Sequence, residues 1–449
     1  MDFVIGTANV DWMNRYHVRY GSTFQLDSLF GKTRVMTIAP ENLQAVYANG
    51  KNFGIQPHRL HAMEYFCGQG FLTTDGHTWQ NSRRMLKPSF AKGNISDFTF
   101  LSREVESLMN KIPRDGSTVD LQPLLFLMAV AYRRQFLNTS LHFLLGVDRS
   151  PESESAPCTA ESFVGAFHEA IKGTGIRIML GRFKGLAPKK QYYTACHLAH
   201  EYLDYYVQQA FEHKSYSYAS PSSTGALKTR NMIQGLASQT DDVKYIRSQI
   251  LQGMIASEET TAVLISNTIF LLSRHPQYWQ QLRDQVREQG EELFNFEQLS
   301  KFVLLQNILS ESLRLYPVFS HMSRTCLNDT TLPIGGGADQ KQPILITQGA
   351  NVFTSFYTLH RDKSVFGPDA ESFAPERWER IHPAQWEYLP FGGGQRACLG
   401  KEKVLAEAAF VVARLAQRFE KLESEDARPW KGKMRLSAKN LNGCKVCLL

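Results

Sequence analysis

Residues Phe391–Gly400 read FGGGQRACLG: one cysteine, Cys398, stands among four glycines and one arginine, directly before a helix-forming stretch from Lys401 to Phe419. Glycine has no Cβ, so backbone built from it can lie against a large flat ligand that other residues would hold away. A cysteine at the start of a helix has its thiolate favoured by unsatisfied N–H groups and by a dipole equivalent to about half a charge. Together these residues describe a thiolate ligating a flat group along its axis. Any three of them taken alone would fit a flexible loop with an ordinary buried thiol equally well.

Helical periodicity dominates the remainder of the chain. Short helices are expected at Glu41–Ala48 and Thr78–Leu86, and longer ones at Phe98–Lys111 and Ala199–His213. The Ser- and Pro-rich stretches Arg149–Glu161 and Lys214–Gly225 read as exposed loops rather than domain linkers, because apolar helical segments resume on both sides. From Val243 to Arg274 the pattern predicts one helix of about 32 residues, stopping before Pro276. Its middle holds Ser257, Glu258, Glu259, Thr260 and Thr261 in succession. Five successive positions cover every side of a helical turn, so at least one or two of them point inward. Phe302–Leu315 is a further helix, ended by Pro317. Clear β-structure is expected only at Thr330–Ile334 and Pro343–Thr347 around Gly335–Gly337, with a terminal hairpin over Asn440–Leu449. The expected fold is mainly α with a small β region, as a single domain over residues 1–449.

Composition excludes several function classes. Fifty Lys and Arg against 43 Asp and Glu leave a net charge of +7 without a block of like charges, which gives no indication of nucleic-acid binding. Seven scattered cysteines do not form a secreted disulfide framework, and a reducing compartment follows. No apolar run approaches the ~20 residues that a spanning helix needs. The most apolar interior segment, Leu121–Val147, is broken by Arg133, Arg134 and Asn138 and reads as packed helix. Cys444 with Cys447, and the pairs His58–His61 and His197–His200, lack the company that a metal site needs and read as ordinary structural or surface residues.

Taken whole, FGGGQRACLG matches FxxGxRxCxG, the haem-binding signature of the cytochrome P-450 family of haem-thiolate monooxygenases. The chain resembles that family elsewhere too. Glu311 and Arg314 match its ExxR motif, Pro375–Trp378 its PERW motif, and Trp79 with Arg83 its WxxxR pattern. Ala256–Thr261 sits where the family's oxygen-binding I-helix motif belongs. The resemblance implies the cytochrome P-450 fold, with haem b between a long central I helix and the helix after Cys398, and the Cys398 thiolate as axial iron ligand. It implies that Phe391, Gly394, Arg396, Gly400, Trp79, Arg83, Arg324 and Ala256 contact the haem, the Arg and Trp residues as donors to its propionates. Glu311, Arg314 and Arg377 become a structural lock. Glu259 and Thr260 become the acid and hydroxyl that serve oxygen activation, Glu259 relaying protons inward. Two electrons are expected from NADPH through a separate NADPH-cytochrome P-450 reductase docking on basic residues.

The segments Ser28–Gly31, Leu72–Phe90, Ser266–Pro276 and Phe366–Trp378 resemble the fungal microsomal branch that hydroxylates alkanes and fatty acids. That branch implies O2 and a long-chain or lipid-like apolar substrate, lined by residues between Gly54 and Gly70, by Val318–Met322 and by Ile255. It also implies placement at the endoplasmic reticulum surface, although the sequence as written, without a membrane anchor, reads as cytoplasmic. Several features depart from the pattern. Ser257 replaces the usual glycine, Ser320–His321–Met322 replace a proline, an apolar residue and asparagine, and Ala129–Asn138 looks inserted. These leave two alternatives open: a tailoring oxygenase of a fungal polyketide or lipid secondary-metabolite pathway, and an inactive, haem-poor pseudo-enzyme.

Overall fold

The computed structural model describes residues 10–27, 33–126, 141–146, 156–219, 231–257, 259–434 and 437–449. The stretches Ser28–Gly31 and Ala129–Asn138 lie outside these residues. Two compact units emerge, one from Met1–Gly54, Ser96–Phe136 and Glu259–Leu449, the other from Ile55–Ile95 and Leu137–Glu258.

The first unit holds a five-stranded sheet in the order Thr23–Leu26, Arg34–Thr37, Asn351–Ser355, His321–Cys326, Phe53–Gly54. Arg34–Thr37 runs parallel to Asn351–Ser355, with Arg34 opposite Asn351, and His321 lies antiparallel to Ser355. Beside the sheet is a helical core. Helix Thr260–Leu272 is buried on all sides from Thr261 to Leu272, the pattern of an interior helix. It packs on Val303–Leu315 and Lys401–Arg418, the latter presenting Ala406, Ala408, Ala409, Ala413 and Ala416, whose small side chains allow close approach. Val303–Leu315 stops where Tyr316 turns extended ahead of Pro317.

The second unit is helical. Gln56–Cys67, Ala160–Leu180 and Lys190–Ala219 share a core in which Phe163 stacks on Tyr202 at 4.2 Å and Phe66 meets Phe167 at 5.8 Å. Two buried glutamines on Val243–Ser257 tie down the loop after Cys67. Gln252 accepts from the Leu72 N–H at 2.7 Å and donates to the Cys67 carbonyl at 3.0 Å, and Gln249 donates to Ser82 Oγ at 3.2 Å.

Four expectations need correction. The stretch predicted as one helix over Val243–Arg274 forms two, Val243–Ser257 and Thr260–Leu272, because the polar run between them offers weak helix formers and no apolar face. Lys190–Ala219 runs six residues into the segment expected as a loop from Lys214. The C-terminus is no hairpin: Lys445–Leu448 pairs with Leu422–Ser424 and Val119–Asp120, whereas Ala438–Asn440 pairs with Gly432–Met434. The strands Thr23–Leu26 and Arg34–Thr37 were also not expected, since four residues carry too little alternation to register as a period. Among the described residues, no helix is long and apolar enough to cross a membrane, and no cluster of three His, Cys, Asp or Glu could hold a metal ion.

Candidate active site

A backbone hydrogen bond closes the cysteine loop. The Cys398 N–H donates to the Phe391 carbonyl at 3.0 Å, closing the loop, and the helix begins at Lys401 with Gly400 as its cap. Gly394 adopts φ +66°, and a Cβ there would stand 2.2 Å from the Tyr47 carbonyl oxygen, so only glycine fits. Cys398 is exposed, whereas Cys67, Cys196, Cys326, Cys444 and Cys447 are buried and Cys158 is half-buried. Tyr47 also links this loop to strand His321–Cys326. The buried Arg324 guanidinium lies 4.7 Å from the Tyr47 ring centroid and donates to the Ser323 carbonyl at 3.0 Å. Arg396 is half-buried within the loop itself. An exposed thiol before a helix, a glycine-rich loop and guanidinium groups nearby form a set suited to a planar, anion-bearing metal macrocycle.

Glu311, Arg314 and Arg377 come together in a buried network. Arg314 donates to both Glu311 oxygens at 2.8 and 2.7 Å, Arg377 Nε to Oε1 at 3.4 Å, the Trp378 indole N–H to Oε2 at 3.0 Å and the Ala374 N–H to Oε1 at 3.1 Å. Arg314 spends its other donors on the carbonyls of His360, Ala370 and Ser372, and Arg377 forks onto Asp369 at 2.9 Å twice. Glu311 and Arg314 are fully buried, so each charge depends on this partnering. The network reaches the cysteine loop through His360, whose Nε2 accepts from the Leu389 N–H at 2.9 Å. Burial, then Arg314 and Arg361, lower the His360 pKa to about 3 and keep the ring neutral.

Glu259 precedes helix Thr260–Leu272, and Thr260 opens it, both half-buried. The Glu259 carboxylate accepts from Ser437 Oγ at 2.8 Å and pairs with Lys439 Nζ at 3.2 Å. The terminal strand therefore holds this acid, a contact that no local sequence signal announced. In the second unit, Ser257 Oγ approaches the Met254 carbonyl at 3.5 Å and Ala256 is exposed. There too Trp79 is buried and the Arg83 guanidinium lies 5.9 Å from its ring, as their spacing on one helix face allows. Tyr47, His360, Ser437 and Lys439 escaped the sequence reading because their roles arise from tertiary contacts. Trp378 stood inside a recognised motif, which was signal enough to find it.

Comparison with known proteins shows the family and the fold. The family model described as Cytochrome P450 matches residues 4–444. The cytochrome P450 monooxygenase apdE of Emericella nidulans is 32% identical over 97% of this chain and 82% of its own length. Cytochrome P450 monooxygenase fsdH of Fusarium heterosporum is 34% identical over 95% and 76%. Cytochrome P450 52A3-B of Candida maltosa is 36% identical over 87% and 76%. Among solved structures, the haem domain of cytochrome P450DA superposes with a TM-score of 0.75 at 21% identity, covering 97% of this chain and 91% of its own, a likeness of fold.

Proposed function

The chain belongs to the cytochrome P450 family and is an oxidoreductase of the monooxygenase type; from that premise we propose that it hydroxylates an apolar, long-chain or lipid-like substrate. In this reading residues 1–449 act as one catalytic domain and haem b is held by the Cys398 thiolate. Such a group, when bound, supplies oxygen activation, with the thiolate favouring O–O cleavage. The observation carrying the assignment is Cys398 itself, an exposed thiol in a closed glycine loop at a helix start.

The chain's own residues then take defined tasks. Phe391, Gly394 and Gly400 shape the loop; Arg324, Arg396, Trp79 and Arg83 would donate to the propionates of a bound haem, and Ala256 would contact it. Glu259 holds a proton source at its carboxylate, oriented by Ser437 and Lys439, and Thr260 offers a hydroxyl as donor. Glu311, Arg314 and Arg377 hold the fold around the loop rather than the chemistry. Electrons come from NADPH through a separate NADPH-cytochrome P-450 reductase, at the endoplasmic reticulum surface. A tailoring role on polyketide- or lipid-like metabolites is the second reading, supported by the polar Ser320 and His321 at positions assigned to the substrate.

A reduced carbon-monoxide difference spectrum tests the assignment. The native protein is expected to give the thiolate-type Soret band and Cys398→Ser to lose it together with turnover. An unchanged band in the serine variant overturns the proposal.

A further inference from the structure

The start and the middle of the cysteine loop both trace back to one side chain. Leu389, where the loop begins, is buried and donates its N–H to His360 Nε2 at 2.9 Å. Gly394, midway along, lies against the Tyr47 carbonyl. The Tyr47 ring is 6.2 Å from Phe356, and Phe356 stacks on the His360 ring at 6.1 Å with an interplanar angle of 7°. On its other side His360 meets the carboxylate lock, its own carbonyl accepting from Arg314 Nη1 at 3.0 Å. The fully buried ring therefore stands where the lock and the loop join.

The chemistry of imidazole suits this place. A backbone N–H needs an acceptor, and a ring nitrogen accepts only while it carries no proton. Burial, and then the charges of Arg314 and Arg361, keep the ring neutral, so Nε2 retains its lone pair. Without that acceptor the buried Leu389 N–H is left unsatisfied, and the segment shifts to find water. Backbone bonds carry such a shift onward. The Leu389 carbonyl accepts from the Gly392 N–H at 3.1 Å, the Gly394 carbonyl from the Ala397 N–H at 3.1 Å, and the Phe391 carbonyl from the Cys398 N–H at 3.0 Å.

We propose that His360 is a positioning residue for Cys398: its Nε2 fixes the start of the loop and its stack on Phe356 the middle, so that the thiolate is held in place for iron. The inference deepens the haem-thiolate reading and rests on it. It makes this ring the part through which Glu311 and Arg314 act on the loop, and it makes an acceptor at the Nε2 position, rather than bulk, the property that matters at residue 360.

The test compares the native holoprotein with four variants. His360→Gln places an amide oxygen near the Nε2 position, whereas His360→Asn falls short of it and His360→Leu has no acceptor. Trp279→Phe removes a hydrogen bond to the Glu420 carbonyl, beyond the far end of helix Lys401–Arg418, and controls for stability alone. Amide hydrogen exchange reads the loop and the reduced carbon-monoxide difference spectrum reads the thiolate. His360→Leu is expected to speed exchange at the Leu389 and Cys398 amides at least about tenfold, the effect of losing one directed hydrogen bond. The ratio of the thiolate-type band to the band of haem without thiolate is expected to fall by a similar factor. His360→Asn should follow His360→Leu and stands in for it if the leucine variant does not fold. His360→Gln should stay within about threefold of native on both readings, and Trp279→Phe should match native. Unchanged exchange and band ratio in His360→Leu and His360→Asn, equal changes in Trp279→Phe, or no rescue by His360→Gln overturns the proposal. A native protein without the thiolate-type band strikes the haem reading instead, and exchange at Leu389 and Cys398 still decides the role of His360.

Discussion

Gly394 and Gly392 share a left-handed backbone, at φ +66° and +68°, but only one of them is crowded. A Cβ on Gly392 would meet nothing within 4 Å, so Gly392→Ala should cost only the conformational penalty, about 1–2 kcal/mol. Gly394→Ala must add a collision with the Tyr47 carbonyl, and is expected to lose clearly more in urea unfolding and to retain less haem. Comparable losses in the two variants would contradict the cradle. At Glu259 the charge is replaceable without changing shape. Glu259→Gln is expected to lower kcat about 10²-fold with little change in KM, as for loss of a positioned proton relay. Steady-state kinetics separates that outcome from a binding defect. At this scale legibility followed residue type: a cysteine among glycines announces itself, whereas Tyr47 is one ordinary aromatic among many until the fold places it between Arg324 and the loop.

Elements depend on networks that link distant segments. The carboxylate of Glu311 is met from helix Val303–Leu315 by Arg314 and from the turn Pro375–Glu379 by Arg377 and Trp378. Removing one partner strands the other charges out of water, so Arg314→Ala or Arg377→Ala is expected to destabilise the first unit by roughly 3–5 kcal/mol. Replacing Glu311 together with Arg314 by apolar residues of similar volume should cost less than either single change, a non-additivity that a double-mutant cycle reads directly. The motif spacing made Glu311 and Arg314 legible, since three residues along a helix bring two side chains together. The break at Ser257–Thr260 was not legible as a break, although the composition that causes it was noted: a polar run inside an apolar period reads as a functional patch and equally as a helix end. The terminal strands failed differently, because pairing partners lie far from Lys445–Leu448 in sequence and no local pattern names them.

Across the whole molecule, acid should act through histidines held neutral. His360 and His321 have pKa values lowered to about 3 and about 4, mainly by burial. Below the unfolded value of about 6.5 the unfolded chain binds protons that the folded chain refuses, so stability present above that pH is lost as pH falls. Each ring contributes a slope of about 1.4 kcal/mol per pH unit between about pH 6 and 4. Urea titrations across that range should show the loss, and His321→Leu should remove one ring's share of it. The sheet of the first unit carries a consequence for how the protein is made. Arg34–Thr37 finds its parallel neighbour in Asn351–Ser355, about 300 residues later in the chain. At ribosomal rates of about 5–20 residues per second, the leading strands wait roughly 15–60 s, edge uncovered, before their mate emerges. Biosynthesis of this enzyme therefore calls for a chaperone to shield that early edge, and faster translation or a depleted holdase pool should show first as aggregation of nascent chains.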